Sequence, residues 1–239
     1  MCPRLRFRCL YPRGVLRAVL FDVDFTLFQP GPALGPEGYA ELGRAHGLEL
    51  DPARYEAARL AAIEEVQQHP ELRHDEEVWI LFTEQIMIGM GGAFLECRAC
   101  ATEMVRRWEQ HHHFTLYDDA LEALAEMRRR GLRIGLISNG QRDLVEFADH
   151  HGLDVDVACG SLAHGRIKPH PSIFEAALAA LGVEPGETVM VGDSYHDDIE
   201  GARALGMRAI LVDRDGLHPH EPDRIESLTD LPAALGFRA

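Results

Sequence analysis

Four short apolar runs alternate with stretches of helical period between Leu132 and Asp213. LRIGLIS (132–138) follows DALEALAEMRRR and the stop-like Gly131, and DVDVACG (154–160) follows QRDLVEFADHHG. TVMVGD (188–193) follows PSIFEAALAALG, and MRAILVD (207–213) follows DDIEGARALG. Runs rich in Val, Ile and Leu and separated by helices read as βα units, which bury both faces of a parallel sheet beneath helices. The pattern predicts an α/β fold with a Rossmann-like, three-layer, parallel-sheet core.

The first run in chain order, AVLFD (18–22), has the same character but lies some 110 residues upstream of the second, LRIGLIS. The intervening stretch has no strand-like run and carries helix-period patterns such as PARYEAARLAAIEEVQQ and CRACATEMVRRWEQ. It predicts an inserted all-helical domain at 30–114, between core segments 18–29 and 115–239. Pro30, Gly31, Pro32, Gly35 and Pro36 mark one hinge, and the three histidines at 111–113 mark the other. Residues 1–17 read as an N-terminal tail: five arginines scattered among apolar residues interrupt the apolar centre that a secretory signal needs.

The sequence has 24 Lys and Arg against 39 Asp and Glu, a net charge of −15. A field of that sign repels polyanions, so nucleic acid and anionic membrane are excluded as default partners, while a local cation can still hold a small anionic substrate. No apolar stretch reaches the ~20 residues of a membrane span, and the expected location is cytoplasmic. Five cysteines without an export signal argue against a disulfide framework. Cys97 and Cys100 form a CxxC ahead of the histidines, but without a second pair they read as helix neighbours at i and i+3 rather than as a zinc site.

In an open parallel sheet, polar residues at the C-terminal strand ends face the crevice where ligands bind. Asp22 and Asp24 end the first run, Ser138 and Asn139 the second, and Asp193 precedes Asp197 and Asp198 at the fourth. Crowded carboxylates repel one another, and a hard divalent cation relieves that cost. Magnesium suits a few carboxylates, several waters and a substrate phosphate.

Four motifs in order, DVDFT (22–26), SNG (138–140), KPHP (168–171) and GDSYHDD (192–198), resemble those of the haloacid dehalogenase superfamily, in its phosphatase branch with a helical cap. The resemblance implies magnesium-dependent hydrolysis of a phosphate monoester of a small metabolite through an aspartyl-phosphate. Asp22 matches the nucleophile and Asp24 the general acid and base. Ser138, Asn139 and the Gly140 backbone match the phosphate-binding groups, and Lys168 matches the ammonium that offsets charge on nucleophile and phosphate. Magnesium (Mg2+) would be held by the Asp22 carboxylate, the Asp24 carbonyl and the Asp193 carboxylate. Thr26, Asp197 and Asp198 are expected in support, with Asp198 orienting Lys168 or metal-bound water.

The commonest pattern of the superfamily has Gly where this chain has Phe25, which makes that ring a candidate specificity element. The resemblance assigns carboxylate-free enzymes at position 24 to dehalogenation, so Asp24 favours phosphate esters. The absence of lysine from 30–114 argues against imine chemistry in the cap. A sugar-phosphate mutase and a non-catalytic binding module share these motifs, although every charged catalytic position is filled. Arg54, Arg59, Arg73 and Trp79 are the cap residues that could choose a substrate. Whether the Trp79–Phe82 stretch faces inward is left open by its pattern. Among the loop histidines, His196, inside the last motif, is the one singled out.

Overall fold

The protein is described here from a computed structural model, which covers residues 15–67 and 72–237. Most of the expected N-terminal tail therefore lies outside the described residues. Arg17, at its end, already joins the core: its N–H donates to the Glu187 carbonyl at 2.8 Å and its carbonyl accepts from Arg133 N at 2.9 Å.

Among the described residues eight strands follow in chain order: β1 (Ala18–Phe21), β2 (Phe28–Pro30), β3 (Phe114–Leu116), β4 (Arg133–Ser138), β5 (Val157–Gly160), β6 (Thr188–Gly192), β7 (Arg208–Val212) and β8 (Arg224–Ile225). Six of them build one sheet in the order β5-β4-β1-β6-β7-β8, and every neighbouring pair is parallel. The first strand in sequence is therefore central, between β4 and β6. The order reverses at β1, which places the crevice of a doubly wound sheet at the end of that strand.

The layers follow from strand periodicity. Val19 and Phe21 of β1 pack toward α5 (Ala120–Arg129) and α6 (Leu144–His150), in a cluster with Leu124, Met127 and Phe147. Ala18 and Leu20 face the opposite layer, where Ile173, Phe174 and Leu178 of α8 (Pro171–Leu181) cover the sheet; a single helical turn, α7 (Ser161–His164), precedes α8. All four β1 side chains are fully buried, which explains why this strand reads as a continuous apolar run rather than an alternating one.

Between Gly31 and His113 the described residues form helices and turns, with α1 (Pro36–Ala45), α2 (Tyr55–Gln67), α3 (Glu76–Gly89) and α4 (Phe94–Trp108) as the principal elements. At the root of this helical body, β2 and β3 pair antiparallel, Phe28 with Leu116 and Pro30 with Phe114, and Gly31 N donates to His113 O at 2.6 Å. That ribbon ties the two crossings of the chain together. A second tie comes from residues 72–74: Ile167 N donates to Leu72 O at 2.9 Å and His74 N to Gly165 O at 3.1 Å. The His74 ring extends it, with Nδ1 2.9 Å from Ser161 Oγ and Nε2 2.7 Å from Gln141 Oε1. Cys97 and Cys100 are buried in α4, where burial pushes both thiols up, Cys100 to about 11. Among the described residues the group able to hold a metal is a set of carboxylates elsewhere.

Candidate active site

The sheet delivers its polar groups to one edge. Asp22 follows β1, Ser138 ends β4, and Asp193 follows β6; the short π-helical segment Tyr195–Glu200 then brings Asp198 back over the strand end. Gly192 makes this return possible. A Cβ there would lie 2.2 Å from Asp198 Oδ2, so only glycine lets the carboxylate approach the backbone. Gly192→Ala should therefore displace Asp198, costing about 1–3 kcal/mol by overpacking. Urea denaturation reads that loss, and turnover should fall with it.

Lys168 sits at the centre of the cluster, 3% exposed. Its ammonium donates to Asp22 Oδ1 at 2.6 Å, to Asp198 Oδ1 at 2.6 Å and to the Ile137 carbonyl at 3.2 Å. Its three donors meet three acceptors. The backbone of the same residue is clamped by Asn139, whose Oδ1 accepts from Lys168 N at 2.7 Å while Nδ2 donates to Lys168 O at 3.1 Å. Asn139 thus positions the lysine, a task additional to the phosphate contact expected of it. Lys168 is the only lysine in the sequence; every other basic residue counted with it is arginine.

Asp22, Asp193 and Asp198 offer oxygens that lie within 4.8 Å of one another. Asp198 is fully committed, since Oδ2 accepts from Ser194 N at 3.1 Å while Oδ1 takes the lysine. Asp193 accepts from Thr26 Oγ1 at 3.2 Å. Asp22 Oδ2 and Ser138 Oγ, both buried, have no hydrogen-bond partner. An unpaired buried polar atom costs on the order of 1–3 kcal/mol, and a bound ion or phosphoryl group would supply the partners that these two atoms lack.

Three carboxylates share one ammonium. Burial, with Asp22 and Asp198 adding to it, pushes Asp193 well above the ordinary carboxylate range. Burial also lifts Asp198, to about 7, against the pull of Lys168. For Lys168, burial pulls downward but the Asp198 and Asp22 carboxylates outweigh it, and the ammonium is held above its ordinary value. The residues therefore fit a divalent cation: hard oxygen donors, excess negative charge and an open carboxylate oxygen on Asp22.

The consequence for stability has a definite sign. A folded-state pKa above the unfolded one means the folded protein holds protons that the unfolded chain has released, so this contribution is present below the ordinary carboxylate range and lost as pH rises toward about 7. Metal-free protein should lose thermal stability between about pH 5 and about pH 8, and magnesium should raise Tm more at the higher pH. Equal magnesium effects at both pH values would contradict the carboxylate cluster as its site.

Asp24 is separated from this group. Its carboxylate pairs with Arg142, whose side chain is 2% exposed and is flanked by the rings of Phe114 and Phe147 at 4.2 and 4.4 Å. Burial pushes the Asp24 carboxyl up, Arg142 opposes, Asp22 adds, and the balance stays above the usual range. A carboxyl that retains its proton more readily than usual is suited to donate it. The Asp24 side chain is not part of the carboxylate cluster, so only its carbonyl remains as the ligand expected of it.

Residues 16–206 match the family model described as haloacid dehalogenase-like hydrolase. The chain belongs to that family. Phosphoserine phosphatase of Thermus thermophilus is 33% identical over 234 residues, covering 87% of this chain and 92% of its own length. Glyceraldehyde 3-phosphate phosphatase of Methanopyrus kandleri is 29% identical over 225 residues, covering 90% and 92%. Among solved structures, a HAD phosphatase from Thermococcus onnurineus shares 28% identity, covers 94% of this chain and 100% of its own, and superposes with a TM-score of 0.63.

In this haloacid dehalogenase-like hydrolase, Asp197 lies outside the cluster and pairs with the His196 ring at 2.8 Å. Phe25 adopts φ +64°, a left-handed conformation that costs a side-chain-bearing residue about 1–2 kcal/mol. Arg142 and His74 are the site-facing residues that sequence reasoning passed over. A lone arginine four positions after Ser138 reads as a solvated charge, and only the rings that enclose it reveal otherwise.

Proposed function

We propose that the chain hydrolyses the phosphate monoester of a small metabolite, with magnesium and through an aspartyl-phosphate on Asp22. The observation that carries this reading is the buried, unpartnered Asp22 Oδ2 beside the unpartnered Ser138 Oγ, with Lys168 holding the other oxygen of Asp22. Phosphatase names among the relatives, phosphoserine and glyceraldehyde 3-phosphate phosphatase, support the same reaction class.

The steps assign each group a task. Asp22 Oδ2 attacks phosphorus and the ester P–O bond breaks; the leaving oxygen takes the proton of Asp24. Water then attacks phosphorus, Asp24 receives its proton, the Asp22–phosphorus bond breaks and inorganic phosphate leaves. Ser138 Oγ and the Gly140 backbone hold phosphoryl oxygens, and Lys168 orients Asp22 through its Oδ1 while balancing charge on the phosphate. Magnesium, held by Asp22, Asp193 and the Asp24 carbonyl, would supply positive charge against the phosphoryl oxygens. Arg142 fixes the Asp24 carboxyl through a contact braced by two rings.

Phosphate release from a panel of phosphorylated metabolites, with magnesium and with chelator, tests the assignment. Metal-dependent release is the expected result. Conversion of a hexose phosphate to its isomer without release would instead make the chain a mutase.

A further inference from the structure

A cavity of about 160 Å³ opens between cap and core beside Asp24, walled by Phe25, Tyr39, Tyr55, Trp79, Phe82 and Trp108. A smaller cavity of about 90 Å³ shares Trp79, Phe82 and Asn139 with it and reaches Lys168. The larger space thus adjoins the catalytic groups on the side where the leaving alcohol would lie. Its size matches an apolar cavity of about 150 Å³ that stays dry and takes up one benzene ring.

The polar atoms along this wall are mostly engaged elsewhere. Asp24 and Arg142 pair with each other, and Arg59 pairs with Glu56 while its guanidinium stacks on Phe25 at 5.2 Å. Asn139 holds the Lys168 backbone, Gln141 contacts His74, and the Tyr55 hydroxyl donates to the Leu34 carbonyl at 3.5 Å. What remains for a guest is aromatic surface.

Phe25 adds an independent observation. Its left-handed backbone places a ring on this wall at a position where strain is otherwise avoided. Such strain persists where surrounding structure holds it, characteristically at ligand sites.

We infer that the alcohol esterified to phosphate is a flat, largely apolar group of about one six-membered ring. This inference rests on the phosphatase reading and narrows its substrate class. The polar leaving groups of phosphoserine and glyceraldehyde 3-phosphate would leave the wall's aromatic faces uncovered.

Benzyl phosphate and glycerol 1-phosphate, both esters of primary alcohols, separate ring recognition from leaving-group reactivity, with O-phosphoserine as a charged competitor and p-nitrophenyl phosphate as a general reporter of hydrolysis. Burying one ring predicts a kcat/KM for benzyl phosphate about 10–100-fold above glycerol 1-phosphate and O-phosphoserine. Phe25→Gly, which removes the ring and relieves the backbone, should lower the benzyl-to-glycerol ratio about tenfold. Turnover that favours glycerol 1-phosphate or O-phosphoserine, or that does not discriminate, overturns the inference and leaves the phosphatase reading in place. No release from any ester, p-nitrophenyl phosphate included, overturns both.

Discussion

Asp22→Asn should abolish phosphate release, lowering kcat by at least about 10³-fold, the scale seen when a covalent nucleophile is removed. The substitution preserves shape but removes the oxygen to which the proposed mechanism assigns the attack on phosphorus. It also takes one negative charge from a buried group of three carboxylates. Folding should therefore survive: Lys168 keeps Asp198 at 2.6 Å and the Ile137 carbonyl at 3.2 Å. Unchanged Tm with lost turnover is the expected pair of results in the metal-free protein. A variant that retains turnover would remove Asp22 from the chemistry.

Lys168 carries the second large effect, and two substitutions divide its roles. Lys168→Met leaves the buried carboxylates without their counter-charge, and breaking a buried ion pair from one side costs about 3–5 kcal/mol. The carboxylates escape part of that cost by taking up protons, which Asp198, already lifted to about 7 chiefly by burial, does near neutrality. The destabilisation should accordingly grow as pH rises through that range. Lys168→Arg restores the charge but not the fit, because a planar guanidinium cannot place its donors on three acceptors gathered around one nitrogen. Stability should return in part while turnover stays lost. Denaturant midpoints at two pH values, read beside kcat, check both statements. An arginine variant with substantial turnover would show that charge alone suffices.

The site was more legible in the sequence than the ties around it, for physical reasons. Strands β1, β4, β6 and β7 lie inside the sheet, are buried on both faces for most of their length and therefore appear as apolar runs, while β5, at the sheet edge, is half-buried over Val157–Cys159. β8, only Arg224–Ile225, is too short to leave such a run. The β2–β3 ribbon consists of three-residue strands, one ending in Pro30, and its pairing depends on a chain returning to the same place after 83 intervening residues. The carboxylates and Lys168 could be located because catalytic motifs are short and local in sequence. Arg142 could not, since its role arises from Phe114 and Phe147 closing over it and from Asp24 118 positions away. The inward direction of Trp79 and Phe82 likewise emerged only from α3 packing between α2 and α4; Leu81 between them is exposed. Of the other cap residues considered, Arg59 lines the cavity, whereas Arg54 points outward toward Asp51.

The most direct measurement is chemical trapping of the intermediate. Protein mixed with a turned-over phosphate ester and magnesium, quenched within a single turnover and reduced with borohydride, should yield a peptide in which position 22 has become homoserine, because an acyl phosphate is reduced to the alcohol whereas a free carboxylate is not. The same treatment of Asp22→Asn should leave that peptide unchanged. Phosphate release that proceeds while no acyl phosphate is ever trapped at Asp22, under conditions that trap one on a control phosphatase, would contradict the covalent route.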